Sequence, residues 1–320
     1  MEWPALPYDA WSATCDTLHA HTQVLGKLAV ALAPTEPQLQ HAALRLTARG
    51  WETLPLPAPD GSGALVVALD LRTHQAIVEH SDGRAERVAL TPDRPVAEVT
   101  REVLAAVRAL AGPVQINPRP QEVPWTTPLD EDYEHATYDP APVTAYFAAA
   151  TRAALVLSAL RAPYRGRSSP VNAWWGSFDL AVSLFSGQPA EPSSDDFIMR
   201  NAGNAQQIEV GWWPAIHATR GRPSSPTRIP RQRDTRPRRC HQRPPAGTLG
   251  WANTCSTGTT PAPARIRTGQ RWSSAGHRFC MRARSAAGIR RWLPARREIP
   301  RRSPDRPATR GAPEGKCCHG

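Results

Sequence analysis

Cysteine is scarce in this 320-residue chain and unevenly placed: Cys15 stands alone before residue 214, and Cys240, Cys255, Cys280, Cys317 and Cys318 follow. One cysteine in a long stretch excludes a disulfide framework there and reads as a small buried hydrophobe in a reducing compartment. The opening Met1-Glu2-Trp3-Pro4 lacks a basic segment followed by an apolar run, so no signal peptide is expected. The most apolar window, Ala148 to Leu160, is interrupted by Arg152 and too short to span a bilayer. Together these absences lead to the expectation of a soluble, cytoplasmic protein. Phosphate-binding glycine loops, dinucleotide fingerprints and a Gly-x-Ser-x-Gly elbow are all missing. Cys240-His241 and Cys317-Cys318-His319 lack the paired spacing of a zinc site. No cofactor, no metal and no membrane partner is therefore expected; the partners left open are a small molecule and, only if the basic tail is genuine, nucleic acid.

What is present divides at Pro214. Residues 1–214 hold 15 Lys+Arg against 24 Asp+Glu, a net −9; residues 215–320 hold 24 against 4, a net +20. The overall charge of +11 thus conceals an acidic part, which argues against a nucleic-acid-binding core, and a strongly basic one. Beyond Pro214, Arg, Pro, Ser, Thr and Gly dominate and apolar periodicity ends, the composition of disorder. Two segments are read: an α+β domain over 1–214 and a basic Arg/Pro-rich tail over 215–320.

Within 1–214, Trp11, Cys15, Leu18, Thr22, Leu25, Ala29 and Leu32 recur at helical spacing and predict a helix from Tyr8 to Leu32, ended by Pro34 and Pro37. Alternation over 42–55, the turn residues of 59–63, the apolar run 64–71 and two segments flanking Ser81-Asp82-Gly83 predict two to four antiparallel strands. Helical spacing returns at Val96 to Leu110, and Gly112-Pro113 stops it. Val114 to Asn117 reads as a strand, 118–141 as a Pro-rich acidic loop, and Pro142 to Leu160 as a further long helix. Two aromatic strands, Asn172 to Phe185 and Gln207 to Trp213, close this part. The expected fold is α+β: antiparallel sheets with two or three long helices packed on them, then a disordered C-terminal tail.

Several blocks carry a resemblance. Leu6-Pro7-Tyr8-Asp9-Ala10-Trp11, Thr17-Leu18-His19, Thr22 to Lys27, Thr47-Ala48-Arg49-Gly50, Tyr138-Asp139-Pro140, Ser169 to Val182 and Gly211-Trp212-Trp213-Pro214 are similar to a bacterial family of unknown function, domain-of-unknown-function family 5996. The resemblance implies a fold and no reaction. Asn172 stands where the pattern implies a histidine, which weakens a metal or acid–base role there. It also implies strands rich in Tyr and Phe after Pro214, and the chain as given has none. Joining the third base of each codon to the first two of the next, with wobble bases chosen freely, lets residues 214–231 encode an alternating Tyr- and Phe-rich segment. The tail accordingly reads as frameshifted translation, and the domain as truncated.

Candidate chemistry lies in two places. His19, Gln23 and Lys27 fall at i, i+4 and i+8 on the first helix, a polar stripe able to hold an anionic or carbonyl ligand or to form a solvated face. In the Trp174-to-Leu180 block, strand alternation sends Trp175, Ser177 and Asp179 to one face as a binding wall. Asp179 can equally form a buried ion pair with Lys27 or Arg49. The candidate ligand set is His19, Gln23, Lys27, Arg49, Trp175, Ser177 and Asp179. The acidic loop with Asp130, Glu131, Asp132, Glu134, His135, Tyr138 and Asp139 matches no metal loop and reads as solvated charge. Three functions follow as alternatives: a small-ligand binding protein or an enzyme with its pocket between the first helix and the Trp175 strand, a non-catalytic protein–protein interaction module, or, if the tail is genuine, nonspecific nucleic-acid binding by it.

Overall fold

The computed structural model describes residues 3–214, 254–257 and 277–284. The expectation of a disordered, frameshifted tail otherwise lies outside the described residues.

The first helix, α1, covers Ser12–Leu32, preceded by a short 3-10 turn at Tyr8–Ala10. From Thr14 to Ala29 almost every side chain is buried, so α1 is a core helix rather than an amphipathic one with a wet face. Gly26 makes this possible at one point. A Cβ there would lie 2.1 Å from Trp175 Cγ, so only glycine lets the indole lie flat on the helix backbone.

Six short strands form the first sheet: β1 (Arg45–Leu46), β2 (Gly50–Glu52), β3 (Leu56–Pro57), β4 (Ala64–Asp70), β5 (Gln75–His80) and β6 (Ala85–Ala89). Their order is β1-β2-β4-β5-β6, with β3 also on β4, and every pairing is antiparallel. The Asp82-Gly83 turn joins β5 to β6 as its chemistry requires, with Gly83 at φ 96°. Two to four strands were expected; the additional ones are two or three residues long, too short for a period-2 pattern to register.

Helix α2 (Val96–Ala111) lies on β5 and β6, and Gly112 at φ 88° ends it. Its first amides are taken up by the loop that returns past it, Val96 N–H donating to the His135 carbonyl and Ala97 N–H to that of Asp132. Val114 to Asn117 forms no strand. Val114 and Ile116 turn partly inward on an extended chain without ladder hydrogen bonds, which alternation alone cannot distinguish from a strand.

Helix α3 (Pro140–Arg161) starts at an Asp139 N-cap that accepts from Ala141 N–H, with Pro140 in the first position. It is longer than the apolar window read from the sequence. Its length and mean hydropathy of 1.5 match those of a membrane-crossing helix, with one third of that window buried. It packs across the second sheet.

That sheet contains β7 (Asn172–Trp174), β8 (Asp179–Pro189), β9 (Ala205–Pro214), β10 (Thr254–Thr257) and β11 (His277–Arg284) in the order β10-β11-β9-β8-β7, with a short helix α4 (Phe197–Ala202) between β8 and β9. The predicted strand 172–185 is in fact a hairpin: Trp174 pairs with Asp179, and Trp175 to Phe178 form the turn. β11 pairs along β9 from Gln207 to Pro214, so two strand segments of the basic stretch complete this sheet. The sheets are stitched where Leu44 and Ala173 exchange two backbone hydrogen bonds of 3.0 and 2.9 Å. Between them lies an aromatic core. Phe178 stacks on Trp51 (5.3 Å) and Tyr146 (5.2 Å), and Trp51 Nε1 donates to the Tyr146 hydroxyl at 3.1 Å.

Candidate functional site

The polar stripe of α1 is covered on one side by the Trp175 turn and on the other by the loop 118–139, which runs antiparallel to the helix. His19 is buried, and its Nε2–H donates to the carbonyls of Trp175 (2.9 Å) and Gly176 (3.1 Å). Its ring stacks on Phe178 at 4.9 Å. Burial outweighs those two hydrogen bonds and pulls its pKa down to about 4, so the ring is neutral. Gln23 exchanges two hydrogen bonds with the backbone of Gln121, at 2.8 and 3.0 Å.

Lys27, 4% exposed, donates to Gln121 Oε1 at 2.9 Å and stands 5.3 Å from the Trp175 ring. Burial lowers its pKa to about 8, opposed by the more distant Asp196 carboxylate. Among the described residues no carboxylate comes within ion-pair distance of this ammonium. An ammonium carries three donors, and among the described residues one is used. The sequence allowed a solvated stripe; these three side chains are instead inside the protein.

Other predicted residues are placed differently. Trp175, Ser177 and Asp179 do not share a strand face, because 175–178 is a turn. Four residues suffice to reverse the chain here, and Phe178 takes φ 55° to close it. Trp175 lies on α1 and donates from Nε1 to the Ala42 carbonyl at 3.0 Å; the Ser177 hydroxyl donates to Asp179. Arg49 is drawn to the first sheet, where it pairs with Glu52 (3.1 Å) and Glu79 (2.9 Å). Asn172 is fully buried and satisfied, donating to Gln40 Oε1 (3.0 Å) and accepting from Arg45 Nη1 (2.5 Å).

The loop holds residues that sequence reasoning passed over. Asp132 belongs to an acidic run read as solvated charge, yet it is fully buried. Its Oδ1 accepts from the backbone of Glu134 and His135, and its Oδ2 accepts from His135 Nδ1–H at 2.7 Å. That pairing raises the His135 pKa. Trp125 lies 4.6 Å from the His135 ring and 5.6 Å from that of His19. His21, also buried with its pKa lowered to about 4 by burial, lies beneath Tyr138, whose hydroxyl meets His74 Nδ1 at 3.0 Å. Asp132 and His135 at i, i+3 were the legible signal. Gln121 and Trp125 sit in a Pro-rich segment with no periodicity to reveal them. Among the described residues no group of three or more His, Cys, Asp or Glu side chains is arranged to hold a metal ion.

No curated protein and no solved structure matches the chain. A family model does match residues 3–222, more than half of the chain, and it includes α1, the covering loop and the Trp175 hairpin. The chain belongs to this family of unknown function, DUF5996.

Proposed function

We propose that this domain binds a small organic anion, a carboxylate or phosphate compound, at Lys27 on the first helix, between Trp175 and the loop 118–139. The observation that carries this reading is a buried ammonium with, among the described residues, one neutral hydrogen-bond partner and two unused donors. Isolating an ion from water costs several kcal/mol, on the order of what an opposite charge must return. An anion entering beside Gln121 supplies that charge, and Trp175 supplies a flat apolar wall. His19 and Gln23 lie along the same stripe of the helix, whereas Ser177 and Asp179 bond to each other at the hairpin turn and Arg49 stands apart. The test is thermal unfolding of the full chain in increasing inorganic phosphate or succinate at constant ionic strength. The melting temperature rises with anion in the native chain and not in Lys27→Met, because only a folded site couples binding to stability. Without anion, Lys27→Met melts at the same temperature or higher, since it removes the buried charge. A Lys27→Met protein that keeps the anion dependence rules the reading out.

A protein–protein interaction module is the second reading, favoured by the outer face of α3, where Leu155 and Val156 are 67% and 50% exposed. It predicts that Leu155→Glu disperses an assembly seen by sedimentation while leaving the melting temperature unchanged.

We also propose that the protein is bacterial and cytoplasmic, and that residues after about 214 derive from a shifted reading frame. Sequencing the gene across the Pro214 codon tests the last point. A single inserted or missing base that restores Tyr- and Phe-rich strands supports it. An intact frame refutes it and makes salt-dependent nucleic-acid binding by the basic stretch the question to pursue.

A further inference from the structure

The loop 118–139 contains an arrangement that anion binding at Lys27 does not use. Asp132 is buried and holds His135 from two sides, through the backbone amide and through Nδ1–H. The carboxylate fixes the ring's orientation and its tautomer, leaving Nε2 with the lone pair. The His135 side chain keeps 14% exposure, and Nδ1 makes its only hydrogen bond among the described residues. Alongside it lies Trp125, whose indole N–H is buried and donates to nothing among the described residues. Buried donors are nearly always satisfied, so an unused one beside an oriented imidazole marks a place for an acceptor atom. A second buried nitrogen, Nδ1 of His21, has no hydrogen-bond partner among the described residues and lies beneath the same loop within electrostatic range of Asp132 and His135.

We propose that His135, oriented by Asp132, is the general base of a hydrolytic site for small neutral aryl esters, with the Trp125 indole N–H as the donor to the ester carbonyl oxygen. Substrate class follows from the surroundings. Asp16, Asp132 and Glu134 all act on His135 as negative neighbours, which disfavours anions, and the Trp125 ring offers a plane for an aromatic group. Water serves as the nucleophile. Cys15 is buried in the core with its thiol pKa raised, and the Ser177 hydroxyl is committed to Asp179.

In the step, Nε2 takes a proton from water as the oxygen adds to the carbonyl carbon. The carbonyl π pair moves to oxygen beside the Trp125 N–H. Collapse breaks the bond to the aryloxide, which leaves with the proton from the imidazolium, giving acid and phenol. No oxidant or further reactant is needed.

The experiment is hydrolysis of p-nitrophenyl acetate by the full chain, against equimolar free imidazole and the same protein unfolded in guanidinium. The expected rate exceeds both controls by about a hundredfold, the scale of positioned acid–base catalysis. It rises with pH through one inflection that coincides with the His135 titration followed by NMR. That titration is set by Asp132, Asp16 and Glu134, with His19 and His21 on α1 as the facing imidazoles. Asp132→Asn moves the inflection to lower pH, and Trp125→Phe lowers kcat while leaving it in place. A native rate no greater than free imidazole overturns the proposal, and this needs no variant to fold. Unchanged activity in a folded His135→Gln protein overturns it as well. Anion binding is read from melting temperature without ester and esterolysis from rate without added phosphate or succinate, so failure here and failure of anion binding are separable.

Discussion

Three residues show how far the interior departs from what their types suggest. His19 and His21 are neutral inside the core, with pKa values near 4 against an ordinary 6.5. Between those values the unfolded chain binds more protons than the folded one, so stability is lost as pH falls from about 6.5 to about 4. Each ring contributes about 3 kcal/mol over that window. His135 works in the opposite direction: its raised pKa gives stability that is present in acid and lost as pH rises through the folded value. Two rings outweigh one, so urea midpoints fall steeply below about pH 6, and His19→Gln makes the fall shallower. At Gly26, alanine is the better helix former by about 1 kcal/mol. Its methyl group nonetheless meets the Trp175 ring, and overpacking of this kind costs about 1–3 kcal/mol. Gly26→Ala is therefore expected to lower the urea midpoint; a rise would show that Trp175 does not rest on the helix. Phe178 combines a left-handed backbone with a fully buried ring. Truncation loses the stacking in any case, about 3–5 kcal/mol, while a left-handed φ costs a non-glycine residue about 1–2 kcal/mol. Phe178→Gly, although the smaller side chain, should be less destabilising than Phe178→Ala in equilibrium unfolding.

Among the elements, α1 sets the layout. It is buried all round because β3, β4, α2 and α3 surround its apolar faces and the loop 118–139 closes the polar one. The loop has no ladder of its own. Its holding contacts include Gln121 on Gln23 and Lys27, Leu129 N–H on the Pro118 carbonyl, Arg101 on the Asp130 carbonyl and the Tyr133 hydroxyl, and Asp132 and His135 at the start of α2. Gln23 supplies two of these, so Gln23→Ala should release the middle of the loop. The expected result is faster amide exchange over 119–127 with protection in β4 and β5 unchanged. Equal loss of protection in the sheet would mean that loop and core open together.

At the scale of the whole molecule, β11 flanks β9 on its outer edge. β9 carries Trp212, buried in the core, and its outer edge is paired over Gln207 to Pro214 with residues 277–284. A chain ending at Pro214 presents that edge bare, a template for pairing with another copy. Such a truncation should elute as concentration-dependent oligomers in size-exclusion chromatography, and a strictly monomeric profile would contradict the pairing.

Much of this architecture was legible without coordinates. Helical spacing located α1, α2 and α3 to within a few residues, and Asp82-Gly83 located a hairpin, because local periodicity and turn chemistry act over fewer than about ten residues. The blocks around His19 and Trp175 also identified the family. Whether the His19, Gln23 and Lys27 stripe faces water or protein was not legible, since that depends on a loop about a hundred residues away. The Trp174-to-Asp179 segment read as one strand because alternation does not reveal a four-residue turn closed by a left-handed phenylalanine. Asp132 read as solvated for a related reason: burial of a carboxylate depends on which amides and which imidazole meet it. Sequence alone therefore determined the three long helices, several strands, the break in composition and the family, and missed the short helix α4. Tertiary structure alone decided which polar side chains lost water, because desolvation is a property of everything packed around a group and not of its neighbours in the chain.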